Sequence, residues 1–288
     1  MHVIPTPRGG GIIFVFITIA SSLIYLLING YSNVYIIPIL CIPLAFIGIL
    51  DDLYKVSSSI RYVFHIFTSS SILYASNLFI GIKLQDTYLN YLLFILIAFV
   101  FTAIINFVNF MDGIDGIVAG SLFASILGCC IFHKIGQPYV FLFGSLGAFI
   151  TWNWQPAKIF MGDTGSTFLA AINIGLISLS DNFSDAIGLT LILTPCLIDP
   201  FSCVIRRFSH NQNIFKPHCL HLYQRLKKSG LKDSNISLIY ISLTVLLSIT
   251  FLNFGLFPTF IISIIVVMLG FYIDQNVASS FKLSKKDV

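Results

Sequence analysis

Five carboxylates sit at the ends of long apolar runs, in three motifs: Asp51-Asp52, Asn109-Phe-Met-Asp112-Gly-Ile-Asp115-Gly116, and Phe160-Met-Gly-Asp163-Thr-Gly-Ser166. A charged side chain at bilayer depth costs roughly 2.5–3.5 kcal/mol on insertion scales, so such residues pair, bind ions or mark a substrate site. Carboxylate and amide oxygens are the ligands that a hard divalent cation such as Mg²⁺ prefers. Gly113 and Gly116 permit a turn and the close approach of a phosphate to the backbone. The chemistry these types suggest is metal-assisted work on a phosphate.

Each motif also has a plainer reading. Adjacent residues on a helix point about 100° apart, so one of Asp51 and Asp52 could serve a cation or act as base while the other is paired. The alternative is an interfacial acid pair neutralised by Lys55 and Arg61. Asn106, Asn109, Asp112 and Asp115 step by three, which lines them along one face if their helix continues; otherwise Asn109 or Asp115 is a helix cap. The Gly and hydroxyl residues around Asp163 resemble an anion-accepting helix start, with free amides for a phosphate and Asp163 for the metal. Here too Asp163 or Ser166 could simply cap.

A fourth cluster is His218-Cys-Leu-His221-Leu-Tyr-Gln-Arg225. A His pair at i,i+3 with Arg225 could hold a pyrophosphate or a sugar. Zinc is the rival ligand, through His218, Cys219 and His221, but adjacent His and Cys suit one tetrahedral ion badly and no second Cys/His cluster completes the set. A solvated amphipathic loop is the third reading. Asp199 is expected to pair with Arg206 and Arg207 as structural support.

The elements that must position these groups are helices in a membrane. The 288 residues are 57% hydrophobic and 10% charged, with a mean hydropathy of +0.92. Soluble domains carry about 25% charged residues. A net charge of +4 with no basic block among aromatics argues against nucleic-acid binding. The six cysteines show no disulfide framework, and the chain opens without the pattern of a cleavable signal peptide. We expect an all-α polytopic helical bundle, one integral-membrane domain over residues 1–288. Ten candidate spans cover 11–29, 34–50, 61–80, 89–109, 115–132, 138–155, 165–180, 187–205, 236–253 and 256–273. Fourteen of the sixteen Lys and Arg then share one side, leaving Lys83 and Lys134 opposite. That bias predicts a cytoplasmic side carrying both termini, all three Asp motifs and a substrate-binding loop over 206–235.

Taken in order, Pro5-Thr-Pro-Arg8-Gly-Gly-Gly11, Asp51-Asp52, the Asn109–Gly116 motif, the Phe160–Ser166 motif and His218-Cys-Leu-His-Leu-Tyr-Gln-Arg225 resemble the polyprenyl-phosphate N-acetylhexosamine-1-phosphate transferases. This glycosyltransferase-4 group includes the peptidoglycan translocase and the O-antigen-initiating enzymes. The resemblance implies transfer of a sugar-1-phosphate from a UDP-sugar to undecaprenyl phosphate in a bacterial inner membrane, releasing UMP. It implies Mg²⁺, with Mn²⁺ able to replace it, held by Asp115 and Asp163 with Asp112 nearby. Asp51 or Asp52 would orient or deprotonate the lipid phosphate. Asn109 and Phe160 would hold the uridine, and Arg8 would contact substrate. His218, His221 and Arg225 would bind the sugar pyrophosphate. The His-Leu-Tyr-Gln-Arg run favours UDP-GlcNAc or a 6-deoxy relative such as UDP-FucNAc or UDP-QuiNAc over the phospho-MurNAc-pentapeptide donor. Lipopolysaccharide O-antigen or a related envelope glycan is the expected product line, and a homodimer is compatible with the sequence. Family members usually carry a further span before the Pro-Thr-Pro-Arg motif, so the first helix is expected to be missing, and an inactive paralogue is one alternative. A cation-coupled transporter is the other, which would place its acids near the midplane on broken helices.

Overall fold

The structure is a computed structural model that describes residues 6–76, 78, 87–212 and 218–281. Thirteen helices occur among the described residues: α1 Gly11–Asn29, α2 Asn33–Leu40, α3 Ile42–Tyr54, α4 Ser58–Tyr74, α5 Thr87–Phe110, α6 Ile117–Phe132, α7 Tyr139–Asn153, α8 Gly162–Ile177, α9 Phe183–Leu191, α10 Thr194–Ser209, α11 Leu222–Lys228, α12 Asp233–Phe254 and α13 Leu256–Asn276. A chain this apolar must satisfy its backbone within each crossing segment, which in lipid leaves helices or a closed barrel. All-helical architecture follows, and the protein is a multi-pass membrane protein.

Every expected span contains a helix, but their lengths differ. Five crossings are long and apolar enough alone: α1, α2 with α3 as one unit, α5, α12 and α13. The span expected over 187–205 is instead two helices, α9 and α10, bent by 79°. The break at residues 192–193 precedes Pro195 in the first turn of α10, where a proline is tolerated because its missing N–H would be unpaired anyway. The short α6 and α7 are apolar, and α8 has only 16 residues. Residues 77, 79 and 80 of the span expected over 61–80 and residues 213–217 of the loop over 206–235 lie outside the described residues, as do Lys83 and both termini.

α8 is the centre of the bundle, packed by α1, α3, α5 and α6. All its residues but Asp163 are buried. Small side chains make this possible, because between helices in lipid the drive comes from close packing rather than from exclusion of water. A Cβ on Gly48 of α3 would stand 2.5 Å from the Thr164 Cα, and one on Gly11 of α1 would stand 2.6 Å from the Gly165 Cα. The N-terminus of α8 is thus seated directly against the C-terminal half of α3 and the start of α1. Two of its buried side chains bond within the protein: Thr167 Oγ1 donates to the Asp163 carbonyl at 2.7 Å and Asn173 Nδ2 to Ser125 Oγ at 2.8 Å.

Candidate active site

The three Asp motifs meet at one end of the bundle, through contacts that no local pattern encodes. α3 ends in Asp51-Asp52, and α8 begins with amides that lack partners within their own helix. Asp52 supplies them. Its Oδ1 accepts from Asp163 N at 3.0 Å, and its Oδ2 accepts from Thr164 N at 3.2 Å and Thr164 Oγ1 at 2.8 Å. Gly162 is required at this junction: its φ is +77°, and a Cβ there would come within 2.5–2.8 Å of both Asp52 oxygens. The expected phosphate seat on free amides at the start of α8 is therefore already taken, for Asp163 and Thr164, by a carboxylate from α3.

Asp51 faces the other way. It accepts Val56 N at 2.7 Å and Arg61 Nη1 at 3.0 Å. The same Arg61 nitrogen donates to Asp163 Oδ2 at 2.9 Å. Arg61, expected only as a counter-ion to the acid pair, thus ties the first Asp motif to the third. Lys55 instead closes α3 in a left-handed conformation.

The middle motif departs from the expected helical face. α5 stops at Phe110, and residues 111–116 form turns, with Gly113 N bonded to the Met111 carbonyl at 2.8 Å and Gly116 at φ +77°. Asp112 and Asp115 are therefore off the line of Asn106 and Asn109. Asn106 donates back to the Thr102 carbonyl at 2.7 Å, and Asn109 Oδ1 accepts from Ser166 Oγ at 2.6 Å, locking α5 to α8. Asp115 is 2% exposed; its Oδ2 accepts Ala157 N at 2.9 Å and its carbonyl accepts Ser237 Oγ at 2.6 Å. Asn153, which lies outside the sequence motifs, accepts Gly116 N at 3.0 Å and donates to the Ile159 carbonyl at 2.9 Å. The start motif completes the arrangement. Phe160 N bonds to the Pro7 carbonyl at 2.9 Å and Gly10 N to the Phe160 carbonyl at 3.0 Å, which fixes Arg8 beside the third motif.

Arg8, Asp52, Asp112, Asp115, Asn153, Phe160 and Asp163 line one cavity of about 290 Å³. Four carboxylates face a single lining guanidinium. The imbalance is visible in Asp112: burial pushes its carboxyl up to about 7, with Asp163 and Asp52 adding to the rise and Arg8 opposing it. An all-oxygen donor set with excess negative charge fits a hard divalent cation.

The fourth cluster does not line this cavity. His218 and His221 are neighbours, ring centroids 4.8 Å apart, but they precede α11 rather than lying along it. Arg225 is 3% exposed, pairs with Asp274 and donates to the Ser279 carbonyl at 3.0 Å. Asp199 corrects another expectation. Arg206 pairs with Asp274 and Arg207 bonds Gln212 at 3.2 Å, whereas Asp199 accepts Leu222 N at 2.7 Å, Tyr223 N at 3.1 Å and Tyr240 Oη at 2.8 Å. It holds the start of α11, which explains how an acid is tolerated at that depth.

Comparison with known proteins agrees with the motif order. The profile described as glycosyl transferase family 4 matches residues 33–180, just over half of the chain. A Bacillus subtilis (strain 168) protein named "Probable undecaprenyl-phosphate N-acetylglucosaminyl 1-phosphate transferase" is 40% identical over 88 residues, 29% of this chain and 24% of its own length. The "Phospho-N-acetylmuramoyl-pentapeptide-transferase" of Carboxydothermus hydrogenoformans (strain ATCC BAA-161 / DSM 6008 / Z-2901) is 31% identical over 118 residues, 40% and 34% of the two chains. One of the same name from Clostridium perfringens (strain 13 / Type A) is 27% identical over 184 residues, 57% and 58%. The chain thus spans less than two thirds of the length of each of these relatives. With a matching profile over half its length and four of the five motifs represented at one cavity, the chain belongs to glycosyl transferase family 4.

Proposed function

We propose that this protein transfers a HexNAc-1-phosphate from a UDP-sugar to undecaprenyl phosphate at the cytoplasmic face of a bacterial inner membrane, starting a lipid-linked envelope glycan. The observation that carries the reading is the single cavity joining Arg8, Asp112, Asp115, Phe160 and Asp163 at one end of a membrane bundle. A soluble nucleotide and a lipid-borne phosphate can both reach such a place. Acids gathered at one end also speak against a transporter, whose ion sites belong near the midplane.

Asp115 and Asp163 would hold Mg²⁺ or Mn²⁺, which when bound neutralises the charge of the donor pyrophosphate. Arg8 adds positive charge on the same lining. Phe160 offers a ring face to the uracil. Asp112, buried enough to hold a proton near neutrality, takes one from the acceptor phosphate. An acceptor oxygen then attacks the β-phosphorus of the donor, the bond from that phosphorus to the bridging oxygen breaks, and UMP leaves with the electron pair. In-line phosphoryl transfer asks chiefly for positioning and charge neutralisation. Asp52 and Asp51 serve as positioning residues, one seating α8 and the other holding Arg61. His218, His221 and Arg225 are assigned no contact with the donor.

UDP-GlcNAc or a 6-deoxy-HexNAc nucleotide is the proposed donor, as the His-Leu-Tyr-Gln-Arg run favours. The names of two relatives support UDP-MurNAc-pentapeptide as a second reading. The test is UMP release from UDP-GlcNAc, UDP-FucNAc, UDP-QuiNAc and UDP-MurNAc-pentapeptide by protein in vesicles containing undecaprenyl phosphate and Mg²⁺. Release from one of the first three supports the proposal, release from the last alone selects the second reading, and release from none overturns both.

A further inference from the structure

We infer, resting on the transferase reading, that Tyr223 is a positioning residue for the turn that carries Asp112, with Gln224 holding its hydroxyl in place. α5 ends at Phe110, and the last carbonyls of a helix have no partner within it. The turn itself supplies two of them: Met111 N bonds to the Val108 carbonyl at 3.0 Å and Asp112 N to the Asn109 carbonyl at 3.2 Å. The Phe110 carbonyl instead accepts the hydroxyl of Tyr223, 113 residues further on, at 3.0 Å. That hydroxyl also lies against Gly113, where a Cβ would collide with Tyr223 Oη. Phe110 and Gly113 flank Asp112, so the phenol grips the turn on both sides of the carboxylate.

Tyr223 is buried and fixed at both ends. Its backbone N–H bonds to Asp199 Oδ2 at 3.1 Å, an oxygen that Tyr240 Oη also reaches at 2.8 Å. At the hydroxyl, Gln224 Nε2 donates at 3.1 Å while Gln224 Oε1 accepts His221 N at 3.2 Å. A phenol has one proton to give and lone pairs to receive. With Gln224 donating to the oxygen, the proton is directed to Phe110. The result is a strut from α10 to the end of α5.

The other side of the turn is the cavity. Asp112, Gly113, Ile114 and Asp115 line it, and Tyr223 stands behind them. Asp115 has its own supports in Ala157 N at 2.9 Å and Ser237 Oγ at 2.6 Å, and Asp163 is held by Arg61 at 2.9 Å. The place of Asp112 follows from the shape of its turn. The strut therefore acts on the proton acceptor and not on the proposed metal ligands. Misplacing a reacting group by about 1 Å costs on the order of a hundredfold in rate. The Tyr-Gln pair of the fourth motif thereby has a task behind the site rather than on the donor.

Two variants test this. Tyr223→Phe keeps the ring and deletes the hydroxyl, and Gln224→Glu gives the hydroxyl an acceptor that draws its proton from Phe110. Hydrogen exchange of the full chain in detergent should show residues 111–116 exchanging at least tenfold faster in both, with residues 162–177 unchanged. In vesicles with undecaprenyl phosphate and Mg²⁺, Tyr223→Phe should lower kcat for UMP release at least tenfold. KM for the UDP-sugar, and the Mn²⁺ affinity read by electron paramagnetic resonance, should stay within threefold. Wild-type exchange at 111–116 in both variants, or wild-type kcat in Tyr223→Phe, overturns the inference. A parallel loss of kcat and Mn²⁺ affinity also overturns it, because that marks a general structural role. Should wild-type protein release no UMP, the transferase reading falls and the exchange result alone decides the place of Tyr223. Gln224→Glu, at a half-buried residue, still decides the exchange test if Tyr223→Phe fails to fold.

Discussion

Replacing Asp52 separates two roles that a carboxylate in this cavity could have. As a proton acceptor, Asp52 would matter to turnover and little to folding. As the partner of α8, it must matter to both. The carboxylate accepts three bonds: Asp163 N at 3.0 Å, Thr164 N at 3.2 Å and Thr164 Oγ1 at 2.8 Å. Asp52→Asn keeps the shape but only one acceptor oxygen. Its best orientation retains Asp163 N and turns Nδ2 to Thr164, whose hydroxyl can rotate to accept, leaving the Thr164 amide without a partner. One lost charge-assisted bond, with a lost negative charge at a helix N-terminus, amounts to about 2–3 kcal/mol. Asp52→Ala strands two amides and a hydroxyl and should cost about 3–5 kcal/mol. Thermal unfolding in detergent, followed by tryptophan fluorescence, should therefore fall by several degrees for Asn and further for Ala. Asp52→Asn should also weaken the apparent Mg²⁺ affinity measured by UMP release, because the first turn of α8 carries Asp163. If both variants unfold at the wild-type temperature, the seating of α8 by Asp52 is refuted.

Gly162→Ala should destabilise more than Gly230→Ala. Both residues have positive φ, +77° and +102°, which costs about 1–2 kcal/mol for an L side chain, but only at Gly162 does the new Cβ meet the Asp52 carboxylate, Gly230 having nothing within 4 Å; equal shifts in melting temperature would contradict the close approach. Asp115→Asn and Asp163→Asn should each lower UMP release at least a hundredfold while the protein still inserts in membranes, and retained turnover would remove them from the metal site. Without divalent cations, Asp112 makes stability fall as pH rises. Its folded-state value near 7 lies above the ordinary 3.8, so the native state holds the extra proton between those values and loses that advantage as pH climbs through them, by at most about 4 kcal/mol. Melting curves from pH 4 to pH 8 should show a steeper decline in wild type than in Asp112→Asn; parallel curves would refute the assignment.

The sequence disclosed what is local or compositional. Apolar runs near 20 residues mark α1, α5, α12 and α13, because crossing the bilayer fixes their length. The interrupting acids marked the site because charge in such runs needs a reason. The internal shape of the elements was less legible. The 79° break between α9 and α10 lies in an apolar stretch where Pro195 is compatible with either a continued helix or a fresh start. The step of three through Asn106, Asn109, Asp112 and Asp115 looked helical, yet the glycines that free the backbone at 113 and 116 end the helix after Phe110.

Partnerships across the chain were hidden for a physical reason. A side chain's type states what it can bond, and only packing states which group stands opposite. Asp52 and Thr164 are 112 residues apart, and their bond exists because Gly48 and Gly11 let α3 and α1 close on the start of α8. The same logic reassigns Asp199, whose nearest cations in sequence, Arg206 and Arg207, lie further along its own helix and take Asp274 and Gln212 instead. Its neighbour becomes a helix start whose amides would otherwise be unpaired. In both cases a carboxylate, half-buried at Asp52 and buried at Asp199, is satisfied by the N-terminus of a helix arriving from elsewhere in the chain. Carboxylates so engaged are poor bases and good struts. Among the acids lining the cavity, Asp52 and Asp115 accept backbone amides and Asp163 accepts Arg61, which leaves Asp112 as the one suited to accept a proton, while Asp52 determines where Asp163 stands.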